Sequence, residues 1–520
     1  MWGTLPRLMA RVTADHGDRS AIIDGDRSLT YTELAAATNR VSTGLIEAGL
    51  RPGDRVGILM PNCLEYIPTL YGVWGAGGVV TQMPARASAS DFRYFLNSAA
   101  TTTLIHHHNF DTALTGIRTD SPTLSTVIRL GSPPAPDTEA LDYTALFGAA
   151  DPTPPPIRIG ENDLAFIGFT SGTTGVPKGV LQTHATWLHY CVTAGLEIGD
   201  TRPGEIFAHG APMTHFTQTF IMPTLMRGGT NLILPGLDVD TLLSAIDTHK
   251  VTATAVVPTI IYLLLARTDL TDYDLTSLRT VIYAGSPMAP SELEHALRVF
   301  GPVFAQAYAG TEPGYISTLR KQDHLLQTPT QRARLASAGR PMYHVDLSIR
   351  HDNGQVVAAG EAGEIWVRQA GQMIGYLDSS LDADTIHDGW VRTGDIGYLD
   401  EEGFLFIVDR KKDMIITGGF NVFPRQIEDI LDTHPAVRQC AVIGIPDPKW
   451  GEAVKAYVVT DPENPVTGND LIRLVREEKG SVWAPKSVEF VAGLPLNPSG
   501  KVDKKVLRQR HWDGQTRQVH

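Results

Sequence analysis

The sequence predicts an α/β protein. A large N-terminal domain of several subdomains, with mixed and mostly parallel sheets flanked by helices, precedes a small α+β domain at the C-terminal end. Three observations carry this. Short β-rich apolar runs at residues 56–60, 164–170, 231–234, 254–257 and 279–284 alternate with amphipathic helical windows, and such continuous apolar strands imply a parallel sheet covered on both faces. From about residue 363 the pattern changes to strands and hairpins, at 364–367 and 404–408. The charged stretch Asp409-Arg410-Lys411-Lys412-Asp413 then interrupts it, before a compact mixture of strand and helix. The expected domains are 1–409 and 410–520, and the run of solvated charges between them reads either as an exposed turn or as a hinge.

Individual elements are legible from their ends. Thr30 with Glu33, and Ser291 with Glu294, have the capping-box spacing, in which a hydroxyl serves orphan amides and the Glu reaches back. Seven prolines between residues 131 and 156 rule out helix or central strand, and the segment reads as a surface connection. The most apolar stretch, 251–266, carries three Thr and Pro258 and is shorter than the ~20 residues of a membrane span, so it reads as core. No repeat of fixed period is visible.

Composition excludes several functions. Lys and Arg number 44 against 57 Asp and Glu, and the net charge of −13 repels phosphate backbones, so nucleic acid is not an expected partner. Cys63, Cys191 and Cys440 are too scattered for a metal knuckle or a disulfide framework. With no signal peptide at residues 1–14 and no membrane span, the expected location is the cytoplasm. The run His106-His107-His108 has no ligand cluster beside it and reads as a loop.

The chemistry is concentrated after the run at 164–169, in Thr170-Ser171-Gly172-Thr173-Thr174-Gly175-Val176-Pro177-Lys178-Gly179. Its glycines let backbone amides converge on an anion, four hydroxyls add donors, and Lys178 supplies a positive charge, as a polyphosphate requires. This is a phosphate loop, but not of the Walker A type, which needs Gly before the Lys and Ser or Thr after it.

The stretch resembles the signature of the adenylate-forming superfamily of acyl-CoA and aryl-CoA synthetases, nonribosomal peptide adenylation domains and beetle luciferases. Five further motifs follow in the order of that family: Gln306-Ala307-Tyr308-Ala309-Gly310-Thr311-Glu312, Gly360-Glu361-Ala362-Gly363-Glu364-Ile365, Trp390-Val391-Arg392-Thr393-Gly394-Asp395, Asp409 to Asp413, and Asn497-Pro498-Ser499-Gly500-Lys501. The resemblance covers roughly residues 20 to 507.

It implies an AMP-forming acid–thiol ligase that uses ATP, Mg²⁺ and, as the expected acceptor, CoA. A carboxylic acid, aryl, cinnamyl or medium-to-long-chain acyl, becomes an acyl-AMP with release of pyrophosphate, and CoA then displaces AMP. The implied nucleotide site is Thr170, Ser171, Gly172, Thr173, Thr174 and Lys178, with Gly285, Ser286, Pro287, Gln306, Ala307 and Tyr308 around adenine and Asp395 and Arg410 at the ribose. Lys501 is the implied catalytic lysine, since charge grows on the α-phosphate in the transition state. Thr311 touches that phosphate and Glu312 holds Mg²⁺. His215 walls the acyl site, with Phe216, Ala309 and Gly310 beside it. Lys412 is the implied hinge, about which the small domain withdraws Lys501 and brings Gly418 and Gly419 to the site, leaving room for a pantetheine arm. A glycine pair also suits a tight turn.

Two departures bear on substrate and acceptor. Ala309 replaces the usual glycine, which adds a methyl near the acyl pocket, and Val482-Trp483-Ala484-Pro485-Lys486 lacks a lysine that CoA-using relatives often carry. No acid lies between Ala211 and Arg227 to neutralise a substrate ammonium, which argues against amino acids. The alternative acceptors are a carrier-protein thiol supplied in trans, an amine, or nitrite and aryl-amine chemistry of the diazo type. A non-catalytic nucleotide-binding relative is a further alternative, and a homodimer is compatible with the sequence.

Overall fold

The strands at the middle of the largest sheet are apolar along their length, with Thr280–Ala284 and Ala253–Val256 buried at every position, so they need cover on both faces. The computed structural model describes residues 3–132, 139–170, 177–199, 202–214, 216–461, 464–496 and 502–512. Among these, the largest sheet has nine strands, in the order Arg340–Pro341, Gly314–Leu319, Phe304–Gly310, Thr280–Ala284, Ala253–Val256, Ile206–His209, Thr230–Ile233, Ser20–Asp24 and Arg27–Thr30. The strands from Phe304–Gly310 to Ser20–Asp24 run parallel, and their neighbours at both ends are antiparallel.

The second sheet has eight strands: Gly375–Tyr376, Lys178–Thr183, Leu164–Thr170, Val79–Gln82, Arg55–Leu59, Thr103–His107, Thr126–Leu130 and Leu141–Asp142. From Leu164–Thr170 onward it is parallel, and Lys178–Thr183 and Gly375–Tyr376 add an antiparallel edge. Trp74, fully buried on helix Tyr66–Gly75, donates its indole N–H to the Ala165 carbonyl at 2.7 Å. Burying so large a ring contributes roughly 3 kcal/mol, and it holds the strand that ends at Thr170.

A third, antiparallel sheet is built from Asp346–Arg350, Gly363–Arg368, Trp390–Leu399, Ile386–His387 and Leu405–Arg410. After one turn of 3₁₀ helix at Lys411–Asp413, the last sheet begins at Ile415–Thr417 and adds Phe420–Val422, Gly451–Thr460, Val437–Asp447 and Ser487–Phe490. Helices Pro424–Leu431 and Gly468–Lys479 bury Ile427, Leu431, Leu471 and Val475 against it.

Three local expectations are corrected. The Thr30–Glu33 capping box forms, but the one expected at Ser291 and Glu294 does not. Helix Pro290–Phe300 starts from Ala289 with Pro290 at its first position, where a fixed φ and a missing N–H cost nothing, so Ser291 falls inside the first turn. Within 131–156, Leu141–Asp142 joins the edge of the second sheet and Tyr143–Ala149 is helical. That stretch has no proline, and Asp142 caps it by accepting from the Ala145 N–H at 2.7 Å. The histidine run is not a loop: His106 and His107 end strand Thr103–His107 and His108 opens a 3₁₀ turn. Among the described residues no group of three or more His, Cys, Asp or Glu is placed to hold a metal, and no helix is long and apolar enough to cross a membrane.

Candidate active site

Two hairpins from different sheets meet at the carboxyl ends of the parallel strands, where α/β proteins characteristically bind ligands. In the first, Leu164–Thr170 pairs with Lys178–Thr183, and Thr170 lies opposite Lys178. Ser171, Gly172, Thr173 and Thr174, in the connecting loop, lie outside the described residues, as do His215 and Lys501. In the second, Phe304–Gly310 pairs with Gly314–Leu319, with a register shift between Tyr308 and Ala309. Its tip is Thr311-Glu312-Pro313. The turn closes on Gly314 at φ +80°, which a side chain disfavours.

The second tip is pinned to the first hairpin. Thr170 Oγ1 donates to Glu312 Oε1 at 3.2 Å, Gln182 Nε2 donates to the Thr311 carbonyl at 3.4 Å, and the Met373 N–H donates to the Glu312 carbonyl at 2.8 Å. Thr170, Lys178, Thr311 and Glu312 are thereby brought together. Tyr376 completes the group and no sequence motif announced it. Its hydroxyl donates to Glu312 Oε1 at 3.2 Å, and Lys178 Nζ lies 5.0 Å from the centre of its ring. Burial, with the Glu312 charge adding to it, raises the Tyr376 phenol above its ordinary range. The donors here fit Mg²⁺: a carboxylate flanked by hydroxyl oxygens, all hard ligands, with no sulfur or imidazole against Glu312 among the described residues.

Across the sheet, Gly285, Ser286 and Pro287 are exposed at the end of Thr280–Ala284, whose Ala284 is in register with Ala307. Gly285 turns the chain at φ +90°. Gln306, Ala307 and Tyr308 follow on the neighbouring strand. The Tyr308 hydroxyl donates to Asp395 Oδ2 at 2.5 Å, and Arg410 Nε lies 3.2 Å from Asp395 Oδ1. Burial, reinforced by the Asp395 charge, pushes the Tyr308 phenol well above its usual range. Asp395 is itself buried at 7 % exposure, in register with Arg410 on the adjacent strand. The sequence-predicted ribose pair therefore meets, and Tyr308 joins it through its hydroxyl.

Of the residues expected at an acyl pocket, Phe216 and Ala309 pack at the margin of one apolar cluster that includes Phe207, Phe220 and Tyr315. The Phe216 ring lies 5.4 Å from Phe220 and 6.3 Å from Tyr315. Gly310 has Pro313 Cδ 2.9 Å from where a Cβ would sit, so the tip tolerates no side chain there without shifting.

The charge run is not the solvated stretch expected. Asp409 and Asp413 are 7 % and 9 % exposed. Asp413 Oδ1 is 2.7 Å from Arg508 Nη1, and Asp409 Oδ2 accepts from the Arg425 N–H at 2.8 Å. Burial pushes the Asp409 carboxyl up to about 6. Lys412 is partly buried, and burial with the nearby Arg410 charge lowers its ammonium from the ordinary lysine range. Gly418 and Gly419 form the two-residue turn of a hairpin, Thr417 facing Phe420, with φ of +58° and +83°. A Cβ on Gly418 would lie 2.6 Å from Trp450 Cε3, whereas one on Gly419 meets nothing within 4 Å. Other residues of the motifs serve as scaffold: Glu364, 4 % exposed, pairs with Arg392 Nη2 at 2.6 Å and Lys411 Nζ at 3.4 Å.

The chain resembles known proteins over nearly its whole length. Residues 9–377 match the family described as AMP-binding enzyme, and residues 426–501 match the AMP-binding enzyme C-terminal domain. The chain is 36% identical over 529 residues to a medium/long-chain fatty-acid–CoA ligase, FadD8, of Mycobacterium tuberculosis, spanning 98% of this chain and 91% of that protein. It is 34% identical over 511 residues to a feruloyl-CoA synthase of an Amycolatopsis species, 98% of each. Among solved structures, the amide bond synthetase McbA from Marinactinospora thermotolerans superposes with a TM-score of 0.88 at 30% identity, over 97% of this chain and 99% of that one. The chain belongs to the AMP-binding enzyme family, the adenylate-forming superfamily of AMP-forming ligases.

Proposed function

We propose that this protein activates a carboxylic acid with ATP and passes the acyl group to CoA. The observation that carries the reading is the convergence of Thr170, Lys178 and Glu312 at the meeting of the two hairpins, beside the Tyr308–Asp395–Arg410 group. The first supports the reading because its positive charge and hydroxyl donors suit phosphates, and the second because a carboxylate suits the ribose hydroxyls. Bound Mg²⁺ would supply charge neutralisation on the phosphate oxygens, with Glu312 as its protein ligand.

The chemistry runs in two steps. A carboxylate oxygen attacks the α-phosphorus, the bond to the bridging oxygen of the β-phosphate breaks, and pyrophosphate leaves. Lys501, Lys178 and Thr311 hold the charge that grows on the α-phosphate. In the second step the CoA thiolate attacks the acyl carbon and AMP departs with the bonding electrons. Rotation of residues 410–520 about Lys412 separates the two arrangements. Phe216 and Ala309, against an aromatic cluster, favour an apolar acid, aryl, cinnamyl or fatty. The location that suits CoA chemistry is the cytoplasm.

A second acceptor is kept for a specific reason. The amide bond synthetase that the fold matches is named for making amide bonds, and the segment at residues 482–486 lacks the lysine noted above. Incubating enzyme, ATP and Mg²⁺ with fatty, benzoic and cinnamic acids, with and without CoA, separates the readings. A CoA thioester detected by mass spectrometry supports the ligase. Pyrophosphate released at the same rate with no thioester, and an amide on adding amines, would replace CoA as the acceptor.

A further inference from the structure

We propose that Tyr376 is a positioning residue for adenylation, coupling the phosphate-facing lysine to the metal-facing carboxylate; this rests on the reading of Glu312 as the Mg²⁺ ligand. One ring serves both charges. Its face lies under the Lys178 ammonium, 5.0 Å from the ring centre, and its hydroxyl donates to Glu312 Oε1 at 3.2 Å. A cation over an aromatic face and a hydroxyl donated to a carboxylate are both attractive, and each is stronger out of water. Lys178 and Glu312 belong to hairpins of different sheets, and among the described residues the Tyr376 ring is what touches both of their side chains.

The backbone around Tyr376 makes it a rigid strut. Gly375 and Tyr376 pair with Leu181 and Val180 at the edge of the second sheet. The Met373 N–H donates to the Glu312 carbonyl at 2.8 Å, the Ile374 N–H to Leu181 at 3.0 Å, and the Leu377 N–H to Gly179 at 2.7 Å. The Tyr376 N–H itself donates to Asp382 Oδ1 at 2.7 Å. The segment is thus stitched to both hairpins, and Tyr376 is 5 % exposed. A side chain held this way fixes the direction of the carboxylate it touches, as hydrogen-bond partners behind metal ligands commonly do.

Thr170 donates to the same oxygen, Glu312 Oε1, at 3.2 Å. Two hydroxyls on one oxygen restrain the carboxylate's rotation and leave Oε2 without a hydrogen-bond partner among the described residues. That is the arrangement expected of a carboxylate offering its second oxygen to a cation.

The test uses full-length protein, α,β-methylene-ATP, which cannot be cleaved at the reacting bond, and Mn²⁺ followed by its electron paramagnetic resonance signal. Tyr376→Phe keeps the ring and removes the hydroxyl. It is expected to weaken Mn²⁺ binding in the nucleotide complex about tenfold, while affinity for the analogue in EDTA stays within about twofold of wild type. Tyr376→Leu is expected to match that loss and also to weaken the metal-free analogue about threefold, through Lys178. Glu312→Gln is the control. If it weakens Mn²⁺ binding and Tyr376→Phe does not, the Tyr376 inference is overturned while Glu312 stands. If Glu312→Gln binds Mn²⁺ as wild type does, the Glu312 reading fails and takes the inference with it. Equal loss with and without metal in Tyr376→Phe, at unchanged melting temperature, marks a merely structural tyrosine and also overturns it.

Discussion

The Asp409 carboxylate accepts the backbone N–H of Arg425 at 2.8 Å, tying the last strand of the third sheet to the first helix of the C-terminal sheet across Lys412. Its other oxygen takes the Arg410 N–H at 2.7 Å. The carboxylate is nearly out of water, and burial raises it to about 6.

This gives a pH prediction. A carboxyl raised from its ordinary 3.8 to about 6 by folding binds its proton more tightly in the folded state. Its contribution is therefore full below pH 4 and is lost as pH rises through 6, on the order of 3 kcal/mol. Urea unfolding of wild type and Asp409→Ala between pH 4 and 7 should differ in slope, the wild type losing more stability across that window. Parallel curves would mean that the carboxyl titrates normally.

Lys412→Pro should spare adenylation and block thioester formation, because a fixed φ opposes the rotation. Pyrophosphate release in the absence of CoA measures the first step, and turnover of supplied acyl-AMP with CoA measures the second. A second step at the wild-type rate would remove the hinge from Lys412.

The two turn glycines should differ. Both sit at positive φ, which costs an alanine about 1 kcal/mol, but only Gly418 has Trp450 Cε3 within 2.6 Å of a Cβ. Gly418→Ala should lower the melting temperature clearly more than Gly419→Ala. If Gly419→Ala melts like wild type yet loses thioester formation, its role lies on the CoA side.

Lys501→Ala should reduce acyl-AMP formation by more than the ~10² typical of one lost charge-stabilising group, and leave thioesterification of supplied acyl-AMP largely intact. Equal loss of both steps, followed in the two assays above, would contradict domain alternation.

Local signals were legible and tertiary ones were not. The Thr30–Glu33 cap and the parallel strands depend on neighbours in sequence, and they form. Ser291 failed as a cap because Pro290, one residue earlier, is the better start. The charge run read as solvated because its partners Arg425 and Arg508 lie 16 and 95 residues beyond Asp409 and Asp413. Tyr376 was invisible for the same reason: the Glu312 it touches is 64 residues earlier, and a Gly-Tyr pair on a short edge strand carries no signal of its own. Of the candidate site, the motifs named Thr170, Lys178, Thr311, Glu312, Asp395 and Arg410, which lie in two groups in the structure, and the geometry added that Tyr308 meets Asp395 through its hydroxyl.

The central claim is that the acid's own carboxylate attacks the α-phosphorus of ATP. An acid labelled with ¹⁸O in both carboxylate oxygens tests it directly when turned over with ATP, Mg²⁺ and CoA. One labelled oxygen should appear in AMP by mass spectrometry, with pyrophosphate unlabelled. Label in inorganic phosphate, with ADP as the nucleotide product, would contradict the account.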